Sequence, residues 1–180
     1  MIVRPFTDRV DLGFAWSVKD SFLHYIRGMP DGRVEVSDGA AVTSAGEFYF
    51  PLVAVESSPG TLKLSFGGEV RFTAHRGLLS VALKRPRIDL HDAHAELFVR
   101  PDDLDRQVAA IELPPRILDG DVAMWLNSAT VLAGDGPEMF GGTYPPGEPL
   151  APLTVRVPVR PGVARRAQEA PVPAGIDNVG

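Results

Sequence analysis

Between Arg33 and Arg100 the sequence repeats one device: short runs in which every second residue is apolar, each closed by glycine, proline or aspartate. "TLKLSF" puts Leu62, Leu64 and Phe66 on one face, and "EVRFTA" does the same with Val70 and Phe72. "LLSVALK" aligns Leu79, Val81 and Leu83, while "GRVEVSDG", "GEFYFPLVAVE" and "HAELFVR" supply further candidates. Alternation of period two gives a strand one buried and one wet face, and turn signals at such short spacing leave no room for crossover helices. The chain is therefore expected to be mainly β and antiparallel.

Other stretches are less decisive. "DDLDRQVAAIEL" fits either a helix or a strand beginning at Gln107. "DVAMWLNSATVLA" is apolar without a clean period, so strand and buried helix compete, and its neighbours favour strand. "TVRVPV" reads as a last strand, pushed toward an edge by Pro158. From Pro161 the periodic apolar positions stop. The expected organisation is one domain over residues 1–159 with a flexible tail over 160–180.

One helix interrupts the strands. In "SVKDSFLHYIRG" Val18, Phe22 and Ile26 fall four apart on one stripe, and Ser21 and Tyr25 form an adjoining one. Ser17 is expected to cap the helix, with Asp20 in the capping-box position, and Gly28 and Pro30 to end it. An element this short needs a larger surface to pack on.

Composition removes several functions. With no cysteine, there is no disulfide framework, thiolate metal site or cysteine nucleophile. The formal charge is -5, and the densest basic run, "KRPR" at Lys84 to Arg87, sits beside a proline as a strand edge or turn would, so no nucleic-acid partner is expected. No segment is long and apolar enough to be inserted in a membrane as a helix. Arg4, Asp8, Arg9 and Asp11 break the N-terminal stretch, and as written the chain is expected to be cytoplasmic.

The candidate chemistry is sparse. Tyr25 is one of only three tyrosines; a phenolate can ligate ferric iron, although a helical tyrosine is far more often a packing residue with a wet hydroxyl. His75, between a strand and Gly77, could exchange a hydrogen bond with a phenol. "IDLHDAH" has the residue types of a divalent-metal cluster but not the spacing, and a solvated turn explains it better. Gly67, Gly68, Gly77 and "GGTYPPG" match no phosphate loop; they are turn residues able to let backbone approach a flat ligand. Ser21 lacks a nucleophile elbow, so no catalytic residue is assigned.

Four segments in register resemble the HtaA domain, the haem-binding module of actinobacterial haem-uptake proteins. "FAWSVKDSFLHYIRG" looks like the opening W-x-x-K-x-S-F-x-x-Y segment, and "GEFYFPL" like the F-x-F strand. "GEVRFTAHRGLLSVALKRPRI" resembles G-x-V-x-F-x-x-H-x-G-x-L with its later P-x-I. "GPEMFGGTYPPGEPLAPLTV" resembles the closing F-x-x-x-Y-x-x-G-x-x-L-x-P-L segment. The resemblance runs from about Leu12 to Val157 and implies a β-sandwich-like fold with one or two short helices.

It also implies a site: Tyr25 as axial ligand of ferric haem b, His75 as its hydrogen-bonding partner, and Ser21 near a haem propionate. Tyr144 would lie near the same pocket, and Phe22 and Phe72 would support its wall. The implied role is non-enzymatic uptake, storage or transfer of haem, with another haem-transfer protein as a partner. Relatives of this kind usually sit outside the membrane. A competing reading makes the same pocket the seat of an enzyme or carrier for a hydrophobic small molecule.

Overall fold

The structure, a computed structural model, describes residues 2–3 and 9–159. The proposed tail over 160–180 lies outside the described residues. Among the described residues fourteen strands run in chain order: Ile2–Val3 (β1), Gly13–Trp16 (β2), Arg33–Ser37 (β3), Ala41–Val42 (β4), Phe48–Ser58 (β5), Thr61–Phe66 (β6), Glu69–Ala74 (β7), Leu79–Lys84 (β8), Arg87–Leu90 (β9), His94–Val99 (β10), Arg106–Glu112 (β11), Ile117–Asp119 (β12), Val122–Leu132 (β13) and Pro149–Pro158 (β14). Two short helices accompany them, Asp20–Gly28 (α1) and Gly136–Met139 (α2).

Eight strands close on themselves in the order β5-β2-β14-β13-β11-β10-β9-β6, and the β5–β6 hairpin seals the ring. Every pairing is antiparallel. A ring of eight strands leaves an interior that side chains can fill, and closure removes the unpaired edges that an open sheet must protect. The expectation of a mainly β, antiparallel domain with short helices holds, and closure of the larger sheet refines the sandwich-like picture to a barrel. The two ambiguous segments within 102–132 resolve to strands rather than helices: β11 begins at Arg106, and β13 carries register shifts around Asn127, which accounts for its broken period.

β2 is the strand that alternation cannot find, because all four of its residues are buried. It fits between β5 and β14 only because Gly13 has φ 138° and no Cβ; an added Cβ would lie 2.3 Å from the Phe50 carbonyl oxygen. β14 is a correction. It begins five residues before Thr154 and sits inside the sheet between β2 and β13, with Pro158 at its last position rather than on an edge. Pro152 falls where the register against β13 shifts, a place where a missing N–H costs no ladder bond.

The second sheet, β3-β7-β8, grows out of the barrel. β6 and β9 are paired neighbours in the wall, and the chain between them continues as the β7–β8 hairpin. The departure point is Gly67–Gly68, where a Cβ on Gly68 would meet Ala40 at 2.7 Å, and the return is Arg85–Pro86. The Arg85 N–H donates to the Gly68 carbonyl at 3.0 Å and locks the two crossings together. "KRPR" is thus a bend between sheets, as its proline suggested. The far tip of this hairpin is His75–Gly77.

α1 packs through Phe22, Leu23 and Ile26. A chain of edge-on rings fixes it: Phe140 to Phe22 at 5.0 Å, Phe22 to Phe72 at 5.2 Å, and Phe72 to Phe48 at 5.5 Å. Helix, hairpin sheet, α2 and barrel meet along that line. The start of α1 differs from expectation. Lys19 occupies the N-cap position and no side chain caps the helix, while Val18, at φ 66°, has turned inward and is fully buried. The Val18 carbonyl accepts the Ala151 N–H at 2.8 Å, and the Trp16 indole donates to the Ala151 carbonyl at 2.7 Å. Tertiary bonds to β14 replace the local cap.

Candidate functional site

The aromatic line ends in a cleft of about 670 Å³ between α1, the hairpin tip and the segment after α2. Phe22 and Tyr25 come from α1, His75, Leu78 and Leu79 from the hairpin, and Phe140 and Tyr144 from the closing segment. Ser21, Gly141 and Thr143 complete the wall. The volume is of the size that takes a small molecule, and the lining is mainly apolar with a few hydroxyls, the usual balance of burial and orientation.

Tyr25 projects from the wet side of the helix, 43% exposed, and its hydroxyl is hydrogen-bonded to His75 Nε2. The rings lie 5.8 Å apart and tilted by 46°. A neutral imidazole nitrogen accepts the phenol proton; an imidazolium would donate to a phenolate instead. Fifty residues separate the two positions in sequence, and the bent hairpin closes that distance.

The hairpin tip is unusual. His75, Arg76 and Gly77 have φ of 53°, 56° and 85°, so three consecutive residues sit in the left-handed region, where only the glycine is at ease. The Asp31 carboxylate accepts the His75 N–H at 3.3 Å and the Arg76 N–H at 2.6 Å. These donors, Arg76 first, hold the Asp31 carboxyl below the usual carboxylate range against a smaller opposing effect of desolvation. Beyond the tip, Leu78 is 92% exposed at the cleft.

On the opposite wall Lys19 is held by Glu148 at 3.1 Å and by the Pro149 carbonyl at 2.9 Å, with its ammonium 5.3 Å from the Tyr144 ring centre. Tyr144 is half-buried by this arrangement and faces the cleft. Of the residues singled out from sequence, Ser21, Phe22, Tyr25, His75 and Tyr144 share this one cleft. Phe72 does not reach it; fully buried, it supports the wall from behind through Phe22. Leu78, Leu79, Phe140 and Thr143 were missed, although "HRGLL" and "MFGGTY" place them beside residues that were found. His91 follows β9 and His94 opens β10, their rings stacked at 4.7 Å, and neither lines the cleft. Among the described residues no group of three or more histidine, cysteine or acidic side chains could hold a metal ion.

A barrel with a bent hairpin and a Tyr–His pair at an aromatic-walled cleft defines a recognisable class of small β domain. The HtaA family model matches residues 11–156, and the chain belongs to that family. In fold it is similar to the C-terminal domain of HtaA from Corynebacterium glutamicum (22% identity, TM-score 0.68, covering 80% of this chain and 93% of that one). The N-terminal domain of the same protein is alike (23% identity, TM-score 0.68, 83% and 97% covered). So is the heme binding protein HtaB from C. glutamicum (24% identity, TM-score 0.60, 79% and 90% covered). No curated protein sequence matches the chain significantly.

Family membership corrects the cytoplasmic expectation. The family match over residues 11–156 contradicts that address. The charges at Arg4, Asp8, Arg9 and Asp11 describe the local composition of this stretch and carry no address. Among the described residues no helix is long and apolar enough to cross a membrane.

Proposed function

We propose that the domain binds ferric haem in this cleft, with the Tyr25 phenolate as the residue that would hold the iron and His75 as the group that tunes it, in the service of haem uptake, storage or transfer. The observation that carries the reading is the Tyr25 hydroxyl bonded to His75 Nε2 at the edge of an apolar cleft. The residues fit the group. A phenolate is a hard anionic donor of the kind ferric haem accepts, and Phe22, Leu78, Leu79 and Phe140 offer apolar surface for a macrocycle.

Bound haem would supply a ferric centre that favours the deprotonated phenol. The protein's own part is proton management. His75 Nε2 accepts the proton that Tyr25 gives up and donates it back as a hydrogen bond, which holds the phenolate in place and moderates its basicity. Ser21, one turn before Tyr25, and Thr143 present hydroxyls at the cleft for the propionates, with Tyr144 nearby. Transfer to or from another haem-carrying domain suits a ligand pair that is this exposed.

The test is optical. Stoichiometric ferric haem added to the apo-protein is expected to give a saturable high-spin tyrosinate spectrum that Tyr25→Phe abolishes. His75→Ala should still bind, and should release haem faster to an excess of apomyoglobin. An unchanged spectrum in Tyr25→Phe removes the ligand assignment, and no spectral change in the wild type turns the cleft over to another apolar ligand.

A further inference from the structure

Resting on that reading of the site, we propose that Asp31 is a positioning residue for the Tyr25–His75 pair, and that it closes a ring of contacts which sets the distance between phenol and imidazole. An imidazole has two side-chain torsions, so its reach is decided mainly by where the backbone puts its Cα. At His75 that backbone is a disfavoured one, two left-handed L-residues followed by Gly77, and it persists only if something holds it.

The Leu78 N–H closes the turn on the His75 carbonyl at 3.1 Å, and the Asp31 carboxylate is the side chain that holds it. Its two oxygens take the successive N–H groups of His75 and Arg76, a backbone concavity of the kind that binds anions elsewhere, here filled from within the chain. Among the described residues Asp31 makes no ion pair within 4 Å, so these amides are its partners rather than a surface cation.

Asp31 is itself fixed to the ligand's helix. The Gly32 N–H donates to the Met29 carbonyl at 3.0 Å, and Gly32 lies so close under α1 that a Cβ there would stand 1.7 Å from the Ile26 carbonyl oxygen. Ile26 follows Tyr25 directly. The ring therefore runs from Tyr25 through Ile26, Gly32 and Asp31 to His75, and back to Tyr25 by the side-chain hydrogen bond. A turn that reads in sequence as ordinary "MPDG" punctuation couples the two halves of the site.

The first test uses the apo-protein and needs no haem. In Asp31→Ala the His75 and Arg76 amides are expected to exchange with solvent about tenfold faster or more, the loss anticipated for a charge-assisted hydrogen bond. Nuclear Overhauser contacts between the Tyr25 and His75 rings should vanish as well, while the circular dichroism stays that of the wild type. Asp31→Asn, which keeps one acceptor oxygen, should fall between. Unchanged exchange and ring contacts in Asp31→Ala overturn the proposal. The second test uses the haem complex: Asp31→Ala should speed release as much as His75→Ala does, and add nothing in the His75→Ala background. Additive effects in the double variant would show that Asp31 does not act through His75. If Tyr25→Phe proves to bind haem normally, the ligand assignment fails, and the apo-protein measurement still decides the role of Asp31.

Discussion

Phe22 and Tyr25 stand three residues apart on one short helix, and the structure divides their work sharply enough to measure. Phe22 is 2% exposed and makes edge contacts with Phe72 and Phe140, while Tyr25 offers its hydroxyl to His75 at the surface. Truncating a buried phenylalanine to alanine costs about 3–5 kcal/mol. One face of Phe22 lines the cleft, so water can enter the space left behind, and the low end, about 3 kcal/mol, is the expectation for Phe22→Ala. In a domain of this size that is a fall in Tm of roughly 6–12 °C. Tyr25→Phe deletes one exposed hydrogen bond and should cost less than about 1 kcal/mol. Urea unfolding of the apo-protein reads both. The division is refuted if Phe22→Ala loses less than about 1 kcal/mol, or if Tyr25→Phe costs as much as Phe22→Ala.

Gly13→Ala should destabilise by more than about 2 kcal/mol in the same assay, since it combines a φ of 138° with a Cβ 2.3 Å from the Phe50 oxygen; a neutral result would mean that β2 is not clamped between β5 and β14. Acid should loosen the fold through aspartates whose folded pKa is depressed. Asp102 is lowered chiefly by Arg106, Asp105 by Arg87, and Asp121 and Asp11 by Arg9. A depressed carboxyl contributes stability above its unfolded pKa of about 3.9 and loses it as pH falls through the lower folded value. Stability is therefore expected to hold down to about pH 4 and fall below it, and less steeply in Arg106→Gln, where Asp102 has lost its partner.

Much of this was legible because alternation survives wherever one face of a strand is wet. β6, β7, β8 and β10 each read correctly from their own residues. β2 did not, because "GFAW" is buried on both faces and leaves no period to detect. Nor did closure, since nothing in "TLKLSF" says that its strand must pair with both β5 and β9. The cap of α1 was misread for a related reason: Ser17 has the right chemistry, but bonds from β14 to Val18 and Trp16 set the entry of the chain instead. In the site, Tyr25 and His75 stood out by residue type and by the family pattern. Leu78 and Phe140 carry no chemical mark, and Asp31 looks like any turn aspartate until the hairpin tip is brought against it.

Resonance Raman spectroscopy of the haem complex tests the proposed bond from the Tyr25 phenolate oxygen to ferric iron directly. Tyrosinate vibrations coupled to the iron are expected in the wild type, absent in Tyr25→Phe, and shifted but present in His75→Ala. Tyrosinate modes that survive in Tyr25→Phe, or a low-spin spectrum with two nitrogen ligands in the wild type, would contradict it.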